Sequence, residues 1–122
     1  MKRINLLVLA LVFAQLFNNS VIAQTNHLFF NEIEAFKKMD QNNPPEKGAI
    51  LFVGSSSFAM WKDIKNYFPG YSIINRGFGG STLPDVIHYA SDIIYPYQPS
   101  QIVIYCGEND FATAPNTNAD TV

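Results

Sequence analysis

The chain has 122 residues, of which 48% are apolar and 15% charged. That length holds one small domain, and ten Phe with six Tyr supply core material that a disordered chain lacks. Eight Lys and Arg against ten Asp and Glu leave a net charge of −2 with no basic run, which argues against a nucleic-acid phosphate binder; a single Cys excludes an internal disulfide framework and a multi-cysteine zinc site.

Residues 1–23 read as an address. Lys2-Arg3 is a short positive region, 4–17 is strongly apolar, and Asn18-Asn19-Ser20-Val21-Ile22-Ala23 is polar and ends in small residues. Val21 and Ala23 suit the −3 and −1 positions of signal-peptide cleavage. The apolar run falls short of the about 20 residues of a membrane span, and no Cys follows it to carry a lipid. The expectation is a cleaved leader, a secreted or periplasmic protein with no stable membrane anchor, and a mature chain from near Gln24. Without Lys2 and Arg3, six cations face ten anions, a charge of −4.

The mature part alternates. Phe30, Ile33, Phe36 and Met39 recur every three residues among charges, which predicts a helix from His27 to Met39 stopped at Asn42-Asn43-Pro44-Pro45. Ala49 to Val53 is an unbroken apolar run ended by Gly54, as in a strand buried on both faces. The spacing of Phe58, Trp61, Ile64 and Phe68 predicts a helix over Ser57 to Tyr67, broken by Pro69-Gly70. Tyr71 to Asn75 reads as a second strand, Arg76 to Ser81 as a glycine-rich loop and Leu83 to Ile94 as a helix. Gln101 to Cys106 reads as a third buried strand, ended by Gly107, and the tail from Ala112 is polar without period. Strands alternating with helices predict an α/β fold with parallel pairing. Three strands make a thin sheet, with an unprotected edge at the third.

In such sheets the site lies beyond the carboxyl ends of the strands. The residues there are Gly54-Ser55-Ser56-Ser57, Gly77-Phe78-Gly79-Gly80-Ser81 and Gly107-Glu108-Asn109-Asp110. A hydroxyl, a loop with free backbone amides and a side-chain amide are the parts of acyl transfer. Each also has a plain reading: serine as helix cap, glycines as a tight turn, asparagine as turn former. The glycines lack the third member of a G-x-G-x-x-G dinucleotide fingerprint. Cys106 reads as an inert thiol in an apolar strand, and Glu108 and Asp110 as loop carboxylates rather than metal ligands.

Taken together, Phe52-Val53-Gly54-Ser55-Ser56, Asn75-Arg76-Gly77-Phe78-Gly79-Gly80-Ser81-Thr82 and Gly107-Glu108-Asn109-Asp110 resemble blocks I, II and III of the SGNH hydrolases, also called GDSL esterases and lipases, in the right order over about residues 48–112. The small platelet-activating-factor-acetylhydrolase-like branch looks most similar. The resemblance implies a flavodoxin-like, three-layer α/β/α fold with strand order 2-1-3-4-5. It makes Ser56 the nucleophile and gives the oxyanion hole to the Gly80 N–H, the Asn109 side chain and the Ser56 N–H. Ser55 stands where the family name has Asp, which leaves the nucleophile intact. It implies no metal and no organic cofactor.

The family's fourth block, Asp-x-x-His, supplies the base. No His follows Asn109; His27 precedes the first helix, and Asp85-Val86-Ile87-His88 lies between blocks II and III. There i and i+3 share a helix face, which predicts a solvent-side Asp85–His88 pair rather than a catalytic one. The expectation is a partial SGNH domain over residues 24–122, with three of five strands and a base beyond residue 122. The implied function is a secreted serine ester hydrolase acting on small acyl or acetyl esters, O-acetylated carbohydrates included. The alternative is a non-catalytic flavodoxin-like binding module or a decayed hydrolase.

Overall fold

The computed structural model describes residues 27–114, 116, 118 and 120; the expected leader, residues 1–23, lies outside the described residues. Helix α1 (Phe30–Asn42) begins after Phe29, whose φ of 69° turns the chain, and ends before the two prolines, which cannot continue a helix. It buries Ile33, while Met39, expected on the same face, is exposed. Strand β1 (Ile50–Gly54) is followed by α2 (Ser56–Met60) and a 3₁₀ turn, Ile64–Tyr67. The single helix expected over Ser57 to Tyr67 is therefore two pieces. The Asn75 side chain donates to the Phe58 and Trp61 carbonyls at 2.7 and 3.2 Å, acceptors that a continuing α-helix would use itself.

Strand β2 (Ile73–Gly77) leads through the glycine loop to α3 (Leu83–His88) and α4 (Ala90–Ile93). The helix expected over Leu83 to Ile94 is divided at Tyr89, which leaves helical geometry at φ −94°, ψ 8°. Tyr89 is buried and donates its hydroxyl to the Leu28 carbonyl at 2.8 Å. After a 3₁₀ turn, Tyr95–Tyr97, come β3 (Gln101–Tyr105) and α5 (Glu108–Thr113), the last where a loop and an unpatterned tail were expected.

The sheet is parallel, in the order β2-β1-β3. Successive side chains of a strand point to opposite faces, and the cores divide accordingly. Leu51, Val53 and Ile74 pack with Ile33, Phe78, Val86 and Ile93 on one face; Phe52 and Ile73 pack with Phe58 and Ile64 on the other. This is an α/β fold with a three-stranded parallel sheet flanked by helices, in a flavodoxin-like arrangement. No helix among the described residues is long and apolar enough to cross a membrane.

Arg76 is buried on the first face, where a lone cation would be costly. It is paired instead. Its guanidinium bonds Asp40 and donates from Nε to the Tyr97 hydroxyl at 2.7 Å, and Tyr97 donates to Asp40 at 2.6 Å. The Phe36 and Tyr97 rings lie 5.1 and 4.9 Å from the guanidinium carbon, within cation–π range.

The two sheet edges differ. On β2, the outward Gly77 N–H donates to Asn75 Oδ1 at 2.9 Å, and the Asn75 carbonyl accepts from Arg76 Nη1 at 2.8 Å. Side chains thus close that edge. On β3 all five residues are exposed, Ile104 at 54%. The apolar run had predicted a buried strand. Apolarity gives the capacity for burial, but only neighbouring elements supply the cover.

Gly54 has φ +147°, and a Cβ there would overlap the Tyr105 carbonyl oxygen and stand 2.7 Å from its carbon. Gly54→Ala is therefore expected to cost about 3 kcal/mol or more, while Gly48→Ala, at φ +78° with open space around it, costs about 1 kcal/mol. Urea unfolding of the two variants checks the difference. Burial, reinforced by the Asp40 hydrogen bond, pushes the Tyr97 phenol up to about 12 from its ordinary 10. The folded state holds that proton more tightly, so its stabilisation is full below pH 10 and lost as pH rises through about 12. Tyr97→Phe is expected to flatten the fall of the unfolding midpoint in that window and to cost about 1–3 kcal/mol at pH 7 by stripping Arg76 and Asp40 of a partner.

Candidate active site

The three strand-end segments are tied together by hydrogen bonds. From β1 to the glycine loop, Phe78 N–H donates to the Gly54 carbonyl at 2.9 Å; from β3 to β1, Ser55 N–H donates to the Tyr105 carbonyl at 3.0 Å. The glycine loop and α5 are joined by Asn109 Nδ2, which donates to the Ser81 carbonyl at 2.9 Å, and by Asp110, whose carboxylate accepts from Leu83 N–H at 3.0 and 3.2 Å. The loops gather at the carboxyl ends of β1 and its two neighbours, where such sheets open a crevice.

Ser56 is the first residue of α2 and is half-buried, and first-turn N–H groups have no partner within their helix. The glycine loop lies beside it, since a Cβ on Gly79 would stand 4.0 Å from Ser56 Cβ. Gly80 is exposed at φ +85° with nothing nearer than 4.0 Å to a Cβ. Conformation rather than space makes glycine suitable there. Asn109, half-buried in the first turn of α5, commits one of its two side-chain N–H groups to Ser81 and has a second N–H that can donate. The structure thus brings Ser56, the Gly79-Gly80 loop and Asn109 to the same end of the sheet. Ser55, by contrast, is 1% exposed at the close of β1, and neither its hydroxyl nor that of Ser81 has a hydrogen-bond partner among the described residues.

Neither histidine touches Ser56. The rings of His27 and His88 stack at 3.9 Å, and that of His88 also meets Tyr89 edge-on at 4.7 Å. The expected Asp85–His88 pair does not form. Asp85 turns back to the start of α3, where its carboxylate accepts from the Thr82 N–H at 2.8 Å and hydroxyl at 2.6 Å. A capping box satisfies orphan donors of the first turn and leaves the carboxylate directed away from position 88.

Cys106 is half-buried and donates weakly to the Ser81 carbonyl at 3.5 Å; burial pushes its thiol up. The Tyr105 hydroxyl donates to Glu108 at 2.6 Å, and that bond raises the phenol. Among the described residues no group of three or more His, Cys, Asp or Glu could hold a metal ion. A groove of about 270 Å³ runs along β2 between α1 and the α2 side, past Met39, Asn43, Lys62 and Asn75; it includes none of Ser56, Gly80 and Asn109.

Sequence reasoning missed Asp110, taken for a loop carboxylate. An acidic residue in a first helical turn is a readable signal, but its partner Leu83 is 27 residues away and nothing local names it.

The fold and its strand-end loops define a flavodoxin-like α/β protein whose carboxyl edge assembles a serine, a glycine loop and an asparagine. No protein-family model matches the chain, and no curated protein matches it. Among solved structures, a proposed platelet activating factor from Streptococcus pneumonia is similar, with 18% identity and a TM-score of 0.58 over 84% of this chain and 46% of that one. At that identity the likeness concerns the fold, and the chain spans less than half of the similar protein's length.

The environment of Cys106 predicts slow reaction with a chromogenic disulfide reagent at pH 8. Unfolding in urea is expected to raise the rate by about tenfold or more, as the thiol regains water and its thiolate.

Proposed function

We propose that the chain carries the nucleophile and oxyanion hole of a secreted serine ester hydrolase resembling the SGNH family. The observation that supports this best is the bond from Asn109 Nδ2 to the Ser81 carbonyl, which fixes the side-chain amide to the loop that flanks Ser56. In the proposed reaction Ser56 Oγ attacks the ester carbonyl carbon. The oxyanion that forms accepts hydrogen bonds from the Ser56 N–H, the Gly80 N–H and the free Asn109 N–H. Collapse expels the alcohol and leaves an acyl-Ser56 ester, which water hydrolyses to the acid. The base that takes the Ser56 proton is, by the resemblance, the His of an Asp-x-x-His block; His27 and His88 are engaged with each other. The chemistry needs no metal or organic cofactor. Small acyl and acetyl esters are the proposed substrates, with O-acetylated carbohydrates a natural class for an exported protein. The structural likeness to a protein named for platelet activating factor supports the fold on which this reading is built.

The second reading, a non-catalytic module on the same fold, draws on one observation: no histidine among the described residues contacts Ser56. A fluorophosphonate probe applied to the protein as its gene encodes it separates the two. Labelling that survives Ser57→Ala and is lost in Ser56→Ala is expected for the hydrolase, and Asn109→Ala should slow turnover about 10²–10³-fold. A folded protein that never labels is the module; labelling retained in Ser56→Ala refutes the assignment of the nucleophile.

A further inference from the structure

We infer that Asp110 is a positioning residue for the oxyanion hole: with Asn109 it clamps the segment from Ser81 to Leu83 and so sets where the Gly80 N–H stands relative to the Asn109 amide. The inference rests on the reading of Gly80 and Asn109 as oxyanion donors. Asp110 is the one buried carboxylate among the described residues, 7% exposed. Both of its oxygens lie within hydrogen-bond distance of the Leu83 N–H, while the adjacent Asn109 donates to the Ser81 carbonyl. One grip accepts and the other donates, on points two residues apart. The segment therefore cannot slide along α5 without breaking both.

The reciprocal Thr82–Asp85 bonds of α3 serve the Thr82 and Asp85 N–H groups and leave the Leu83 N–H of the same turn without a partner in its own helix; Asp110 takes that N–H from a different helix. What the Leu83 bond adds is a tie between the loop and α5. The loop needs it, because Gly79-Gly80 has no side chains to pack and two permissive backbones. A displacement of about 1 Å in a catalytic donor can lower a rate about 10²-fold.

Hydrogen exchange measured residue by residue on the chain tests the clamp. Asp110→Ala is expected to speed exchange at Leu83 and also at Ser81, whose N–H bonds the Phe78 carbonyl, by about fivefold or more, with β1 unchanged. Asp110→Asn keeps a carbonyl acceptor and should restore both. A response at Leu83 alone overturns the clamp. Should Asp110→Ala not fold, Asn109→Ala decides: it leaves the Asp110–Leu83 bond in place, so faster exchange at Leu83 supports the clamp and unchanged exchange overturns it. In fluorophosphonate labelling, Asp110→Ala should react about 10²-fold more slowly, with rescue in Asp110→Asn; a folded Asp110→Ala that labels like the wild type overturns the positioning role. A wild-type protein that never labels removes the esterase reading alone, and the exchange experiment still decides the clamp.

Discussion

The structure turns on the missing side chain at position 54. At the end of β1 the backbone adopts φ +147°, and any Cβ would run into the Tyr105 carbonyl. That close approach lets the Gly54 carbonyl accept from Phe78 and the next N–H, of Ser55, donate to Tyr105. One peptide's length of chain thus anchors the ends of both neighbouring strands. Gly77 makes the matching concession on the other side, where a Cβ would stand 2.6 Å from Phe58 Cβ. Helix α2 can therefore lie against the sheet directly after Ser56.

From that junction outward, the chain is asymmetric. The β2 edge is closed by its own side chains, Asn75 facing α2 and Arg76 facing α1. Asn75 does two things at once: it satisfies the edge and takes the carbonyls that would have prolonged α2. Arg76 brings its charge into the core because Asp40, Tyr97 and the Phe36 ring surround it. The β3 edge has no such devices, and its apolar side chains meet solvent. Charges and closing side chains along a sheet edge resist further strand pairing, so the sheet is receptive on the β3 side and not on the β2 side.

The candidate site inherits this frame. Ser56 follows directly on β1, and the glycine loop is anchored by the buried Phe78 and secured from α5 through Asn109 and Asp110. Under the proposed reading, a serine fixed at the strand end and a glycine loop tethered from α5 suit a site in which donors must meet a charge that forms only during reaction.

The sequence by itself determined the alternation of helices and strands, the parallel α/β class and the three strand-end segments, because these follow from local periodicity and from glycines at the ends of apolar runs. Its resemblance to the SGNH blocks singled out Ser56, Gly80 and Asn109 as the residues to inspect. The cap that draws Asp85 from His88 is local, Thr82 standing three residues before it. Only the tertiary structure decided what distant partners impose: the break after α2, made by Asn75; the bend at Tyr89, made where its ring enters the core; the exposure of β3; and the burial of Asp110 against Leu83. Each of these depends on a hydrogen bond or a covering surface contributed from elsewhere in the fold, and local residue patterning carries no record of which distant group will arrive.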